Sequence, residues 1–218
     1  MSEAAGAPQV DRGTGFLAFG LGSEKRTYLE GCLEATFDLY SCSYLQAGHT
    51  WKFNPDIELR LDGQFADQRN IGASELGDFN TQFYGTQLAT SYQGAVLTFA
   101  CNHTATGAGF RDPFGADPSF TGLMLSNFIS AGENAFLVGL SYNFGNLGLP
   151  GVSAFVNYVY GSLPADAWQH EFNATADYRI NTGPLKNLWL RLRYARFESK
   201  GQASVEDFRA TLNYSVTF

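Results

Sequence analysis

Arg191 and Arg193 stand two residues apart in the stretch Leu188-Trp189-Leu190-Arg191-Leu192-Arg193-Tyr194. If that stretch is a β-strand, the leucines and Tyr194 point one way and the two guanidinium groups the other, ~6.6 Å apart on a shared face. A guanidinium is a rigid fork of donors matched to a carboxylate, so such a row can hand an anion from one side chain to the next. Arg209 belongs to the following alternating stretch, 208–218, and lies diagonally across from Arg193 if the connection at 200–204 is tight. The competing chemistry is internal pairing: Asp177 should lie opposite Arg191, and Asp207 precedes Arg209 by one step on the same face. Arg179, Asp177, Arg60, Lys52 and Glu58 share the polar face of their own stretches and would add to a field across it.

Other chemistries find less support. The histidines are His49, His103 and His170, and none stands at a spacing from Ser or Asp that marks a barrel hydrolase, so the chain is not read as an enzyme. Gly13-Thr14-Gly15 and Gly20-Leu21-Gly22 lack the strand-turn-helix setting of a nucleotide loop. Asp112 and Asp117 fall in a long connection without a twelve-residue calcium loop, so neither a metal nor a cofactor is expected. Cys32, Cys42 and Cys101 cannot all pair with one another; Cys32 and Cys42 are close enough to bridge one hairpin in an oxidising compartment, or are two unpaired thiols.

The elements that must position these residues are strands. Alternation of apolar and polar residues recurs over 27–35, 43–53, 57–65, 83–92, 95–103, 135–144, 152–160, 172–180, 188–194 and 208–218, about ten segments near the length a tilted membrane-crossing strand requires. The connections fall into two alternating sets. The short set is 54–56, 93–94, 145–151 and 181–187; the longer set is 68–82, 104–134, 161–170 and 199–204, with the last the exception at about the short length. The long segment 104–134 reads as a loop that is external or folded into a lumen.

Composition agrees. The 218 residues are 44% hydrophobic and 15% aromatic but only 16% charged, with 24 glycines and a net charge of -7. That balance excludes a disordered chain and a phosphate-binding partner of nucleic acid. No run approaches the ~18 apolar residues of a membrane helix. Met1-Ser2-Glu3-Ala4-Ala5-Gly6 has neither a basic nor an apolar signal region, so the chain is expected to stay inside the cell or to be incomplete. The polar faces carry Asn, Ser, Thr, Gln and sparse charge, as a lumen does. Tyr92, Phe144, Tyr158, Tyr160, Tyr178, Tyr194, Tyr214 and Phe218 gather near strand ends, as interfacial aromatics do.

Three segments carry a family resemblance: 142–152 (YNFGNLGLPGV), 183–193 (GPLKNLWLRLR) and 206–214 (EDFRATLNY), with 126–133 (SNFISAGE) as a fourth. They resemble the C-terminal half of OprD-type outer-membrane porins over about residues 27–218. The resemblance implies an all-β antiparallel transmembrane β-barrel, with about ten strands present from a barrel of about eighteen, preceded at 1–26 by a leader, partial strand and loop. A fragment or a small closed ten-stranded barrel both remain open. Through the same resemblance Arg191, Arg193 and Arg209 match a basic ladder that guides small carboxylates or amino acids. Gly139 and Asn157 stand where basic residues are expected, and Arg60 with Asp62 reverses the family's acid-then-base order. The implied partners are outer-membrane lipid and small anionic or zwitterionic solutes, with a homo-oligomer left open. The competing readings are a non-conducting structural or adhesive barrel and a soluble all-β binding protein.

Overall fold

A computed structural model of the chain describes residues 13–111 and 119–215. Eleven strands follow one another: β1 Thr14–Gly22, β2 Thr27–Thr36, β3 Tyr40–Lys52, β4 Ile57–Asn70, β5 Asn80–Tyr92, β6 Ala95–Thr104, β7 Asn134–Asn143, β8 Val152–Ser162, β9 Trp168–Arg179, β10 Leu188–Ser199 and β11 Val205–Tyr214. Each pairs antiparallel with the next, so spatial order equals chain order and the strands form one up-and-down sheet. One 3₁₀ turn, Phe144–Leu147, interrupts the link from β7 to β8. Among the described residues no helix is long and apolar enough to cross a membrane.

The count is eleven strands where the alternation indicates ten. The additional one, β1, lies inside the stretch read as leader, partial strand and loop. Its sequence TGFLAFGLG is apolar at successive positions, so it shows no period of two, and only its pairing with β2 reveals it. Several strands also run further than the alternation. In β4 the segment 67–70 is polar on both faces, which hides a strand that continues to Asn70. The connections expected at 161–170 and 199–204 therefore shrink to 163–167 and 200–204. The contrast between the two ends rests on 71–79 and 105–133 alone, and these define a long-loop end opposite the turns at 23–26, 53–56, 93–94, 144–151 and 180–187.

The tightest turn, Gln93-Gly94, has both residues at positive φ, 46° and 89°. A two-residue hairpin of this hand matches the twist of the strands it joins, and glycine takes the second position without strain. It fixes the β5–β6 register, with Tyr92 opposite Ala95 and Ala89 opposite Thr98.

Two faces result. The convex face is apolar and exposed, carrying Leu61, Leu88, Phe99, Val138, Leu140, Leu190, Leu192 and Leu212. Tyr92, Tyr178 and Tyr214 end it at the short-turn end, while Tyr84 and Tyr160 lie towards the long-loop end. The concave face carries the polar set, and the described parts of the connection, 105–111 and 119–133, fold onto it. Phe128, 1% exposed, packs among Ala100, Ala135, Leu137 and Val159, and Phe110 packs at a tilt on Phe83, ring centres 5.7 Å apart. Burying one phenylalanine contributes about 1.5–3 kcal/mol, so these two rings hold the loop inside the curve of the sheet.

Candidate functional site

The register of β9, β10 and β11 places five of the sequence-predicted residues on one patch of the concave wall. Arg191 faces Asp177 on β9 and Thr211 on β11, and Arg193 faces Thr175 on β9 and Arg209 on β11. Arg209 is thus directly opposite Arg193 rather than diagonal to it: the connection at 200–204 is tight as expected, but it pairs Phe197 with Val205, a register that brings residues 193 and 209 level.

The three arginines differ in what they already hold. Arg191 donates from Nε and Nη2 to the two oxygens of Asp177, at 2.7 and 2.8 Å. Arg209 donates from Nε and Nη2 to Asp207 Oδ2, at 2.9 and 2.6 Å. Arg193 makes no ion pair among the described residues, and its buried Nε has no hydrogen-bond partner. The facing Thr175 Oγ1 and the nearby Asn173 Oδ1 are also buried and unpartnered within the protein. Arg191 and Arg209 are thus paired with carboxylates, whereas Arg193 has no carboxylate partner among the described residues.

Trp189, on the same face two residues before Arg191, is part of this patch and escapes the sequence reading. Its ring lies 4.5 Å from the Arg191 guanidinium and 5.9 Å from that of Arg179, and its Nε1 donates to Asp177 at 3.2 Å. Its parity with Arg191 is the signal that could have found it; grouping aromatics with the interfacial belts obscures it.

Arg60 lies elsewhere, on the concave face of β4 beside the buried Asp62, which accepts from Arg60 Nε at 2.8 and 3.0 Å. Between the two groups, the concave positions of β5 to β8 carry no charged side chain; Gly139 and Asn157 face one another there. The concave surface thus divides into a basic wall, an uncharged stretch, and the mixed charges of β2 to β4.

Loop 105–133 covers part of this surface and is tied down by two carboxylates. Glu171, fully buried on β9, accepts from the backbone N–H groups of Met124, Leu125 and Ser126 at 2.8–3.1 Å. Glu133, 1% exposed, accepts from Ser130 N–H at 2.9 Å and from Gln169 at 2.6 Å. Burial pushes the Glu133 carboxyl pKa up, against hydrogen bonds that lower it. Neither anchor is evident from sequence.

The three histidines all sit on the convex face. His49 packs on Trp51 at 4.5 Å, His103 stacks with Tyr84 at 6.3 Å, and His170 stacks with Trp168 at 5.3 Å. None can serve as a base in the lumen. The three cysteines are free; Cys32 faces Tyr44 and Cys42 faces Glu34, a diagonal placement on adjacent strands. Among the described residues no group of three or more His, Cys, Asp or Glu side chains is arranged to hold a metal ion. Asp112, Asp117 and Phe218 lie outside the described residues.

Residues 24–218 match the family model described as outer membrane porin, OprD family. The chain belongs to that family. Its fold has close counterparts in Pseudomonas aeruginosa: a crystal structure of OpdK with vanillate superimposes with a TM-score of 0.85 at 21% identity, covering 94% of this chain and 60% of that one. OccK9 (OpdG) superimposes with a TM-score of 0.85 at 25% identity, covering 94% and 57%. Porin D of Pseudomonas aeruginosa is 22% identical over 215 residues, 83% of this chain and 48% of Porin D. The chain therefore spans about half the length of the curated relative it matches. Membership of this family places the OprD-type chain in the bacterial outer membrane, and its exposed leucine face accords with that rather than with a soluble binding protein.

Proposed function

We propose that this chain forms part of the wall of a passive diffusion channel for small solutes, with a preference for those bearing a carboxylate. The observation that carries the reading is the charge of the lumen face on β9 to β11, Arg179, Arg191, Arg193 and Arg209 against Asp177, Asp207 and Glu171, the last taken up by loop amides, beside an uncharged stretch on β5 to β8. An excess of fixed positive charge along one wall of a narrow water-filled passage favours anions over cations of the same size. Arg193 is the residue that meets the solute, and Arg191 and Arg209 are positioned by their aspartates. That one relative of the same fold was crystallised with vanillate, a carboxylate, is consistent with this class of solute.

Channel recordings in planar bilayers, made on the barrel that contains this chain, test the reading. Discrete conductance steps with a reversal potential displaced toward the anion are expected. Absence of any solute-permeable step would instead favour a non-conducting structural barrel, for which the inward packing of Phe110 and Phe128 is the supporting observation.

A further inference from the structure

On the convex face, towards the long-loop end, the rows of facing residues change character from one level to the next. Thr86 on β5 faces Cys101 on β6, Cys101 faces Phe136 on β7, and Phe136 faces Tyr160 on β8. One step nearer the short turns, Leu88, Phe99, Val138 and Tyr158 follow one another across the same four strands. Thr86 and Cys101 are small beside Leu88, Phe99 and Phe136, so the surface sinks there into an apolar groove of about 510 Å³. Its walls stand open to the outside, Phe136 at 58% and Phe99 at 50% exposure.

One step nearer the long loops the row is polar. Tyr84 faces His103, His103 faces Asn134 and Asn134 faces Ser162, with no Asp, Glu, Lys or Arg among them. His103 Nδ1 and Asn134 Oδ1 are hydrogen-bonded at 2.9 Å, which leaves His103 Nε2 and Asn134 Nδ2 without a partner among the described residues. Aromatic rings flank this row on both sides. Phe65, Tyr84 and His103 have centres 5.2 and 6.3 Å apart, and Tyr158, His170 and Trp168 have centres 5.7 and 5.3 Å apart.

The two levels together match an amphiphile. The family lies in the bacterial outer membrane, so the convex face meets lipid and its long-loop end lies in the outer leaflet. Aromatic rings mark the headgroup level there, and an acyl chain reaches the groove just below it. At the rim a headgroup meets neutral amide, hydroxyl and imidazole groups beside flat ring faces, with no fixed cation to take a phosphate. A pyranose suits both features: its C–H face lies on the rings, and its hydroxyls hydrogen-bond to Asn134 and His103.

We propose that the groove and its rim hold a single glycolipid of the outer leaflet, with an acyl chain over Thr86 and Cys101 and a sugar on Tyr84, His103 and Asn134. The proposal goes beyond the channel reading and needs only that this face meets the membrane.

Native mass spectrometry tests it, on the barrel that contains this chain, released from a non-glycosidic detergent holding either glucosyl diacylglycerol or phosphatidylglycerol with the same acyl chains. A single glucosyl diacylglycerol is expected to stay bound, at least about tenfold more tightly than phosphatidylglycerol. Cys101→Phe fills the groove from the lipid side and should weaken both lipids about tenfold, whereas Cys101→Ser should weaken neither. His103→Ala with Asn134→Ala should bring the glycolipid down to the level of phosphatidylglycerol. All three positions are exposed on the convex face, so none of these changes opens the core. Equal retention of the two lipids, retention unaffected by Cys101→Phe, or no retained lipid overturns the proposal. Oligomers of the barrel that Cys101→Phe dissociates would assign the groove to a second copy and overturn it as well.

Discussion

At the scale of single residues, the lumen arginines are not interchangeable. Arg191 and Arg209 spend their Nε edges on Asp177 and Asp207, whereas Arg193 keeps a buried, unpartnered Nε beside Thr175. Neutralising Arg193 should therefore remove a contact with the solute, and neutralising Asp177 should release one. Arg193→Gln is expected to lower anion preference and weaken binding of a small carboxylate by about fivefold, the worth of roughly 1 kcal/mol after screening by lumen water. Asp177→Asn is expected to shift the reversal potential the other way by freeing Arg191. Reversal potentials that move in the same direction, or not at all, would show that the row does not discriminate by charge. The Arg191–Asp177 pairing is legible in sequence because two strictly alternating strands joined by one turn leave little choice of register. Why Arg193 has no ion pair is not legible, since Asp177 and Asp207, two positions away in register, are taken by Arg191 and Arg209, and Glu171, four positions away, by three backbone amides of a distant loop.

At the scale of elements, the loop at 105–133 is the part whose position has to be explained, because a segment of this length gains its order only from what it packs against. Glu171 supplies an acceptor to three amides that would otherwise be buried without partners, each worth about 1–3 kcal/mol if left so. Glu171→Ala should speed hydrogen exchange at Met124, Leu125 and Ser126 by an order of magnitude or more, with Glu171→Gln in between because one carbonyl oxygen can still accept. Unchanged exchange would mean the apolar contacts of Phe128 hold the loop unaided. The second anchor adds a pH dependence. Burial raises the Glu133 pKa above its ordinary 4.5, so its proton-linked contribution is fully present below 4.5 and is lost as pH rises through the folded value. Amides 130–133 should be better protected at about pH 4 than at about pH 8 once intrinsic rates are divided out, and Glu133→Gln should abolish the difference. Gly161 belongs to the same anchor: a Cβ there would collide with Glu133 Oε1 and press on Phe128, so Gly161→Ala should loosen the loop by about 1–3 kcal/mol of overpacking. The strands themselves were largely readable from their period of two. These contacts were not, because a loop held through its backbone amides leaves no side-chain pattern, and β1, apolar on both faces, leaves none either.

At the scale of the whole molecule, the decisive fact is that the described residues form a wall of eleven strands with β1 and β11 at its edges. Every neighbouring pair is antiparallel, so β1 and β11 run in the same direction, from the long-loop end to the short-turn end. Joining them directly would make a parallel seam, and a second copy in the same membrane orientation would make two. An unpaired backbone N–H or C=O in hydrocarbon costs several kcal/mol, so neither edge can face lipid uncovered. Antiparallel closure requires an odd number of further strands whose outer members both run from the short-turn end to the long-loop end, giving the even total usual in bacterial barrels. Length points the same way: eleven strands occupy a stretch that covers 60% of OpdK, which scales to about eighteen for the whole and leaves about seven. Hydrogen exchange on the 218-residue chain in detergent should find β1 and β11 exposed and fast while β5 and β6 are slow, and supplying the complementary strands should slow both edges together. Slow exchange at both edges of the chain by itself, with cysteines placed at Leu17 and Leu212 cross-linking across the seam, would instead mean that the wall closes through a parallel pair.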